Sequence, residues 1–164
     1  MGTRIETERL VMRPFTPDDV PELAKLLAHP EVRHWWPSPI DAATLLDEFD
    51  GHLTILRDDR VIGILECWEE DDPNYPSVAF DIALAADQHD QGLGPEALRG
   101  GVKHFIAKGH HRFTIDPNVG NQRAIEAYSK VGFKPIGIAR RSEKMLDGLW
   151  ADALMMDLLA EELE

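Results

Sequence analysis

The sequence predicts an α/β fold: one domain over residues 1–164, with a mixed, mostly antiparallel sheet and helices on both faces. Three observations predict it. The apolar run Ser77-Val78-Ala79-Phe80-Asp81-Ile82-Ala83-Leu84 is followed by the glycine-spaced turn Asp90-Gln91-Gly92-Leu93-Gly94, which opens into helical spacing over residues 95–107. Two β-rich segments, 53–56 and 61–68, flank Asp58-Asp59-Arg60, the composition of a hairpin turn. Two more, 134–139 and 149–158, flank Asp147-Gly148 and suggest a final antiparallel pair.

In chain order, Thr16-Pro17-Asp18-Asp19 combines an N-cap, a Pro tolerated in the first turn and an acidic third position, so a helix starts there. Leu23, Leu26 and Leu27 supply its buried stripe. Residues 30–39 break the pattern, with a short helical piece around Trp35 and Trp36, and 41–49 read as a second helix. The hairpin follows, and then an acidic, Pro-containing loop over 69–76, where Glu69, Glu70, Asp71 and Asp72 read as solvated, as does Glu66 just before it. After the glycine turn and its helix, Arg112-Phe113-Thr114-Ile115-Asp116 is a strand. Residues 121–132 then form a helix with Asn121 as N-cap and Gly132 as its stop. There is no repeat, low-complexity segment or linker.

Composition narrows the function. Thirty acidic residues against 17 basic give a net charge of −13. That argues against a nucleic-acid surface, which needs a basic patch. It suits either plain solubility or a cationic partner drawn to an acidic cleft. No apolar run approaches membrane-spanning length, and the N-terminus lacks a basic segment leading into an apolar one, so neither a membrane nor a secretory signal is expected. Cys67 is the only cysteine, so no intrachain disulfide can form, and it reads as a small buried apolar side chain. The seven histidines show no ligand spacing, so no metal is expected. A cytoplasmic monomer or homodimer is the default.

Strand, glycine turn and helix N-terminus together read either as a phosphate cradle, because glycine lets backbone N–H groups approach oxygen and the helix dipole favours negative charge, or as an ordinary tight turn before a helix. No Gly-Lys-Ser/Thr follows, which excludes a P-loop. A dinucleotide fingerprint would have its third glycine at Ala97 and would sit near the start of a βαβ unit, not behind half the chain.

Gly92-x-Gly94 after a strand, followed by Asn121-x-x-Ala124-x-x-x-Tyr128-x-x-x-Gly132-Phe133, resembles the GNAT superfamily of acetyl-CoA-dependent N-acetyltransferases, and the resemblance covers nearly the whole chain. It implies a GNAT-like sheet and acetyl-CoA as co-substrate. Within the superfamily, residues 32–36 and Asp116-Pro117-x-x-x-Asn121-x-Arg123-Ala124-Ile125 resemble aminoglycoside 6′-N-acetyltransferases. The Trp-Trp pair is also similar to acetyltransferases of siderophore biosynthesis. The opening 6–14 and the ending 148–152 resemble N-terminal acetyltransferases of ribosomal proteins instead. His89 stands where the superfamily usually has Gln or Arg, and Asp90 and Gln91 where it usually has Gly, Arg or Lys. Those departures bear on how tightly pyrophosphate is held.

The resemblance implies site residues. Ile82 and Leu84 would pair with the pantetheine amides. His89, Gln91, Gly92, Leu93, Gly94 and Pro95 would form the pyrophosphate turn, and Asn121, Ala124 and Tyr128 would also contact the cofactor. Asp81 interrupts an apolar strand, where a carboxylate is costly. It is either an outward-facing residue at an edge or bulge, or the base that orients and deprotonates the amine. Tyr128, two helical turns after Asn121, would donate a proton to the departing thiolate; otherwise it is a half-buried helix aromatic. Trp35 and Trp36 are adjacent and cannot share one core from a regular element, so one is expected in the core and one at the acceptor cleft. Asp116 and Asp72 are candidate partners for acceptor ammonium groups. The expected activity is acetyl transfer to a primary amine of a polycationic small molecule, best the 6′-amine of an aminoglycoside antibiotic, as in resistance. The alternatives are a protein N-terminus, or a non-catalytic module with a degraded acyl-CoA site.

Overall fold

A computed structural model describes residues 2–164. Eight strands form one sheet in the order β1-β2-β3-β4-β5-β6-β8-β7. They are β1 (Ile5–Glu6), β2 (Val11–Pro14), β3 (Leu53–Arg57), β4 (Arg60–Glu70), β5 (Ser77–Leu84), β6 (Arg112–Ile115), β7 (Lys134–Lys144) and β8 (Trp150–Leu159). All pairings are antiparallel except β5 with β6. Helices α1 (Val20–Ala28), α2 (Pro30–Arg33) and α3 (Ala42–Glu48) pack through one apolar cluster, with Leu23, Leu27, Leu45 and Phe49 against Ile64 and Ala83 of the sheet. Helices α4 (Leu93–Ala107) and α5 (Gln122–Val131) pack through another, with Leu98, Val102, Tyr128 and Val131 against Leu65, Phe80 and Phe113. The two clusters are the two faces of the sheet.

Local chemistry explains the boundaries. Asp58 and Asp59 turn the β3–β4 hairpin at φ 50° and 63°, a left-handed pair that Asp tolerates and tight hairpins need. Asp41 caps α3 by accepting the Thr44 N–H at 3.0 Å. Gly101 lets α4 sit close on the sheet, since a Cβ there would lie 3.1 Å from Leu65 and 3.2 Å from Phe80.

The sequence reading needs four corrections. The first strand is a small hairpin, β1 and β2, closed by a bond from the Thr7 N–H to the Leu10 carbonyl. Helix α4 starts at Leu93, ahead of Pro95, because Gly92 at φ 76° already serves as its N-cap. The helical piece is α2, and the tryptophans follow it in a turn. Strands β4 and β7 run on to Glu70 and Lys144, so Glu66 lies mid-strand and is buried, not solvated in a loop.

Buried Asp19 ties the start of α1 to the sheet. It accepts from both Arg13 guanidinium nitrogens at 2.8 Å, the Thr16 N–H at 2.9 Å and the Thr54 hydroxyl at 2.8 Å. Burial pushes its pKa up, but the hydrogen bonds from Arg13, Thr16 and Thr54 outweigh that and hold it below the usual carboxylate range. With the folded pKa below the unfolded one, this stabilisation is complete above about pH 4 to 5 and is lost as pH falls through the lower folded value. Asp19→Ala should cost roughly 3 kcal/mol at pH 7 by leaving its donors unpaired. Urea unfolding that shows a loss of under about 1 kcal/mol, within the range of an ordinary surface change, would refute this.

Candidate active site

β5 and β6 pair only at Val78 with Phe113 and Ala79 with Thr114, then part. Beyond that point β5 keeps β4 on one side and faces an open V on the other. Antiparallel ladders alternate the direction of their backbone groups. The Ala85 N–H donates to the Ile62 carbonyl at 2.8 Å, so Ala83 and Asp81 point their backbone groups at β4, while Ile82 and Leu84 point theirs into the V. Two of these are already taken. The Ile82 N–H donates to Asp81 Oδ1 at 2.8 Å, and the Leu84 carbonyl accepts from His89 Nε2 at 2.9 Å. Among the described residues the Ile82 carbonyl and Leu84 N–H have no ladder partner, and they could hold the two ends of an amide.

The V opens into a cleft of about 340 Å³ between α4 and α5. Gly92, Leu93, Gly94 and Pro95 line one wall, Asn121, Ala124 and Tyr128 the other, and Asp81, Asp116 and Glu143 also line it. At the glycine turn, Asp90 at φ 59° and Gly92 at φ 76° curl the chain, and no side chain caps the α4 amides. Such a concave run of N–H groups at a helix start is an anion site. Gly92→Val should weaken acetyl-CoA binding at least tenfold. A β-branched residue is strained at that φ, whereas the nearest protein atom, Arg9 Nη2, would be a comfortable 3.6 Å from the new Cβ. Calorimetry giving an unchanged affinity in the folded variant would move the phosphates elsewhere.

His89 lines the cleft, but both ring nitrogens are committed: Nε2 to Leu84, and Nδ1 as acceptor from Arg123 Nη1. Burial lowers its pKa, so the ring is neutral. These two bonds tie the turn to β5 and set the position of Arg123. The Gln91 side chain turns away, accepting from Arg57 at 2.9 Å and donating to the Asp87 carbonyl at 3.0 Å, so only its backbone is available. Asn121 caps α5, accepting the Ala124 N–H at 3.3 Å.

Asp81 is exposed to water on the cleft wall, with protein packed around its carboxylate. Burial, with Asp116, Glu143 and Glu48 nearby, pushes its pKa up to about 7 against the bond from Ile82. Tyr128 is 7 % exposed, and its pKa is raised well above the usual phenol value by burial and by Asp81 and Asp116. Its hydroxyl makes no hydrogen bond among the described residues and is not sealed from the cleft. Trp36 is buried against Phe49, and Trp35 is half-buried beside His34; both reach the cleft wall. Asp72 is not brought there. It caps its own loop, accepting the Asn74 N–H at 2.9 Å beyond the far end of β5.

Residues 9–134 match the family model described as an acetyltransferase (GNAT) domain. The chain belongs to the GNAT acetyltransferases. Its acetyl donor is acetyl-CoA. Solved structures agree on the GNAT fold. RimJ of Mycobacterium smegmatis, in complex with CoA-disulfide, superposes with a TM-score of 0.84 at 19% identity, covering 99% of this chain and 88% of that one. The ribosomal-protein-S5-alanine acetyltransferase of Vibrio fischeri gives 0.80 at 14%, covering 99% of each. The spermidine N-acetyltransferase of Vibrio cholerae, in complex with CoA and spermine, gives 0.78 at 18%, covering 95% and 98%. No curated protein matches the sequence.

The GNAT cofactor fits what this chain provides: a half-vacant strand edge for amides, and uncapped helix amides for phosphate. A cation stands beside the turn from α5, where Arg123 lines the cleft and its Nε lies 3.8 Å from Asp90. Arg123 lies inside the second motif, which by itself gives it no role. Its signal was a cation in the first turn of the second motif of a strongly acidic chain. Glu143 and Glu48 were missed outright. No group of three or more His, Cys, Asp or Glu suited to a metal occurs among the described residues, and no helix among them is long and apolar enough to cross a membrane.

Proposed function

We propose that this acetyltransferase acts on a primary amine of a polycationic small molecule in the cytoplasm, with the 6′-amine of an aminoglycoside as the named candidate. One observation carries the reading: Asp81, Asp116 and Glu143 line one cleft at its solvent-exposed surface, local desolvation holds all three above the usual carboxylate range, and none has an ion pair among the described residues. Unpaired, crowded carboxylates are relieved by a ligand that brings several positive charges. In this reading acetyl-CoA supplies the thioester. Ile82 and Leu84 hold its amide arm, the turn at 91–94 and Arg123 hold its phosphates, Asp81 takes a proton from the amine, and Tyr128 gives one to the departing sulfur.

A second reading takes a protein N-terminus. Leu149 and Trp150, exposed at the β7–β8 turn, would suit a peptide chain. A single α-amine of pKa near 8 asks for fewer carboxylates, however. Thiol release from acetyl-CoA, measured against aminoglycosides, polyamines and N-terminal peptides, decides: turnover confined to peptides overturns the polycation. Asp116→Asn should raise the acceptor Michaelis constant roughly tenfold, about one charge-assisted hydrogen bond, with little change in turnover number. Added salt should act in the same direction. Steady-state kinetics showing an unchanged Michaelis constant would free Asp116 of this role.

A further inference from the structure

Glu66 sits in the middle of β4 and is only 3 % exposed. No Lys or Arg pairs with it among the described residues. Asp81 lies directly across the ladder. The pair follows the same alternation as Ala83, so the Cα atoms of Glu66 and Asp81 are about 5.5 Å apart with side chains on one face. Asp81 lines the cleft and Glu66 does not, which puts Glu66 in a second layer behind it. The other groups facing it are Glu48 from α3 and His52 from the segment entering β3, with Asp50 beyond His52. His52 Nδ1 accepts the Cys67 N–H at 2.8 Å, so the ring proton is on Nε2, 3.9 Å from Glu66 Oε2. Burial lowers the His52 pKa and keeps the ring neutral. Burial first, then Asp81 and Glu48, pushes Glu66 up to about 8. Between the two ionisations, Asp81 at about 7 and Glu66 at about 8, with the cleft empty, the proton sits mainly on Glu66 and the Glu66–Asp81 pair holds one proton between them.

We propose that Glu66 is a proton store behind Asp81, emptied when a cationic amine arrives and refilled by the proton that amine loses. This rests on the cleft being a site for a cationic amine. An ammonium beside Asp81 favours negative charge on its neighbour, so the Glu66 O–H bond breaks and its proton leaves for solvent. His52 Nε2–H then faces the new carboxylate. Before attack, one ammonium N–H bond breaks, its electron pair stays on nitrogen, and the proton passes to Asp81 and on to Glu66. A second N–H proton is lost as the C–N bond forms and the C–S bond breaks, and it reaches the sulfur through Tyr128. One proton has gone to solvent, as conversion of an ammonium and a thioester to an amide and a thiol requires, and the pair again holds one. Glu66 is thus a positioning residue, acting through Asp81, and it favours acceptors that arrive charged.

The test is a carboxyl ¹³C NMR titration of the full chain, with the Glu66 signal assigned from the Glu66→Gln spectrum, run alone and with saturating ethylammonium chloride. Glu66 is expected to ionise near pH 8 alone and to hold its proton at least tenfold less tightly with ethylammonium. His52→Asn, which removes the facing ring N–H, should shrink that change. Calorimetry in two buffers of different ionisation enthalpy should show proton release on ethylammonium binding that Glu66→Gln lacks. Ionisation in the ordinary carboxylate range near 4, a midpoint that ethylammonium leaves in place, or equal proton release from Glu66→Gln would each overturn the store. None of these measurements needs turnover, so failure to acetylate any polycation would remove the acceptor reading alone.

Discussion

Asp81→Asn is expected to lower acetyl transfer by at least 10²-fold while leaving the fold and acetyl-CoA binding intact. The magnitude is that of losing a positioned general base. The substitution is clean because the Asn side-chain oxygen can still accept the Ile82 N–H that Asp81 holds at 2.8 Å, so the strand edge keeps its shape. The wild-type pH profile carries the second half of this prediction. Asp81 is raised to about 7 by burial and by Asp116, Glu143 and Glu48, so its basic form is lost as pH falls through 7. The ratio kcat/KM should therefore decline on that side. In the variant this limb should vanish along with most of the rate. Thiol-release kinetics from pH 5.5 to 9 check both points. A variant within threefold of wild type throughout would leave Asp81 a structural cap for Ile82 and nothing more.

Tyr128→Phe should lower the turnover number about 10²-fold, with acetyl-CoA affinity and melting temperature nearly unchanged. The ring belongs to the core cluster with Phe113, Val131 and Met156, and Phe keeps that packing. The hydroxyl bonds to no described residue, so its removal breaks nothing internal. Burial, together with Asp81 and Asp116, holds its pKa above the usual phenol value, so it remains protonated across the working pH range. A turnover number that stays at the wild-type value at every pH would assign thiolate protonation to water.

The glycine turn and the Asn121–Tyr128 spacing were legible because each is a local constraint: a positive φ at Gly92, an N-cap at Asn121, and two helical turns between Asn121 and Tyr128. The strand carrying Asp81 was legible for the same reason, as an apolar run broken by one charge. What escaped was decided across the sheet. Glu66, in the β-rich 61–68, looked solvated because it adjoins the acidic run 69–72, and only the pairing of β4 with 77–84 carries the strand on to Glu70 and buries it. Glu143 was hidden by the register shift between Ala139 and Glu143, where Arg141 turns to φ 49° and the strand resumes. Helix starts and stops are written in adjacent residues, whereas strand length and register are written in the partner.

The turn between β5 and α4 is anchored from its far side by three arginines on other strands or their hairpin. Arg57 donates to the side chains of Gln88 and Gln91 at 3.0 and 2.9 Å, Arg60 to Asp87 at 2.8 Å, and Arg9 to the Gln91 carbonyl at 2.9 Å and to Glu96 at 2.7 Å. Fixing one residue's backbone costs about 1–2 kcal/mol of conformational entropy, and here the rest of the sheet has already met that cost for most of residues 87–91. Ligand arrival then need not freeze a floppy loop, so affinity lost through the acidic Asp90 is offset by preorganisation. The anchors also lie outside the cleft, so mutation could retune this loop's rigidity, and with it how fast spent coenzyme departs, without altering any atom that meets the ligand.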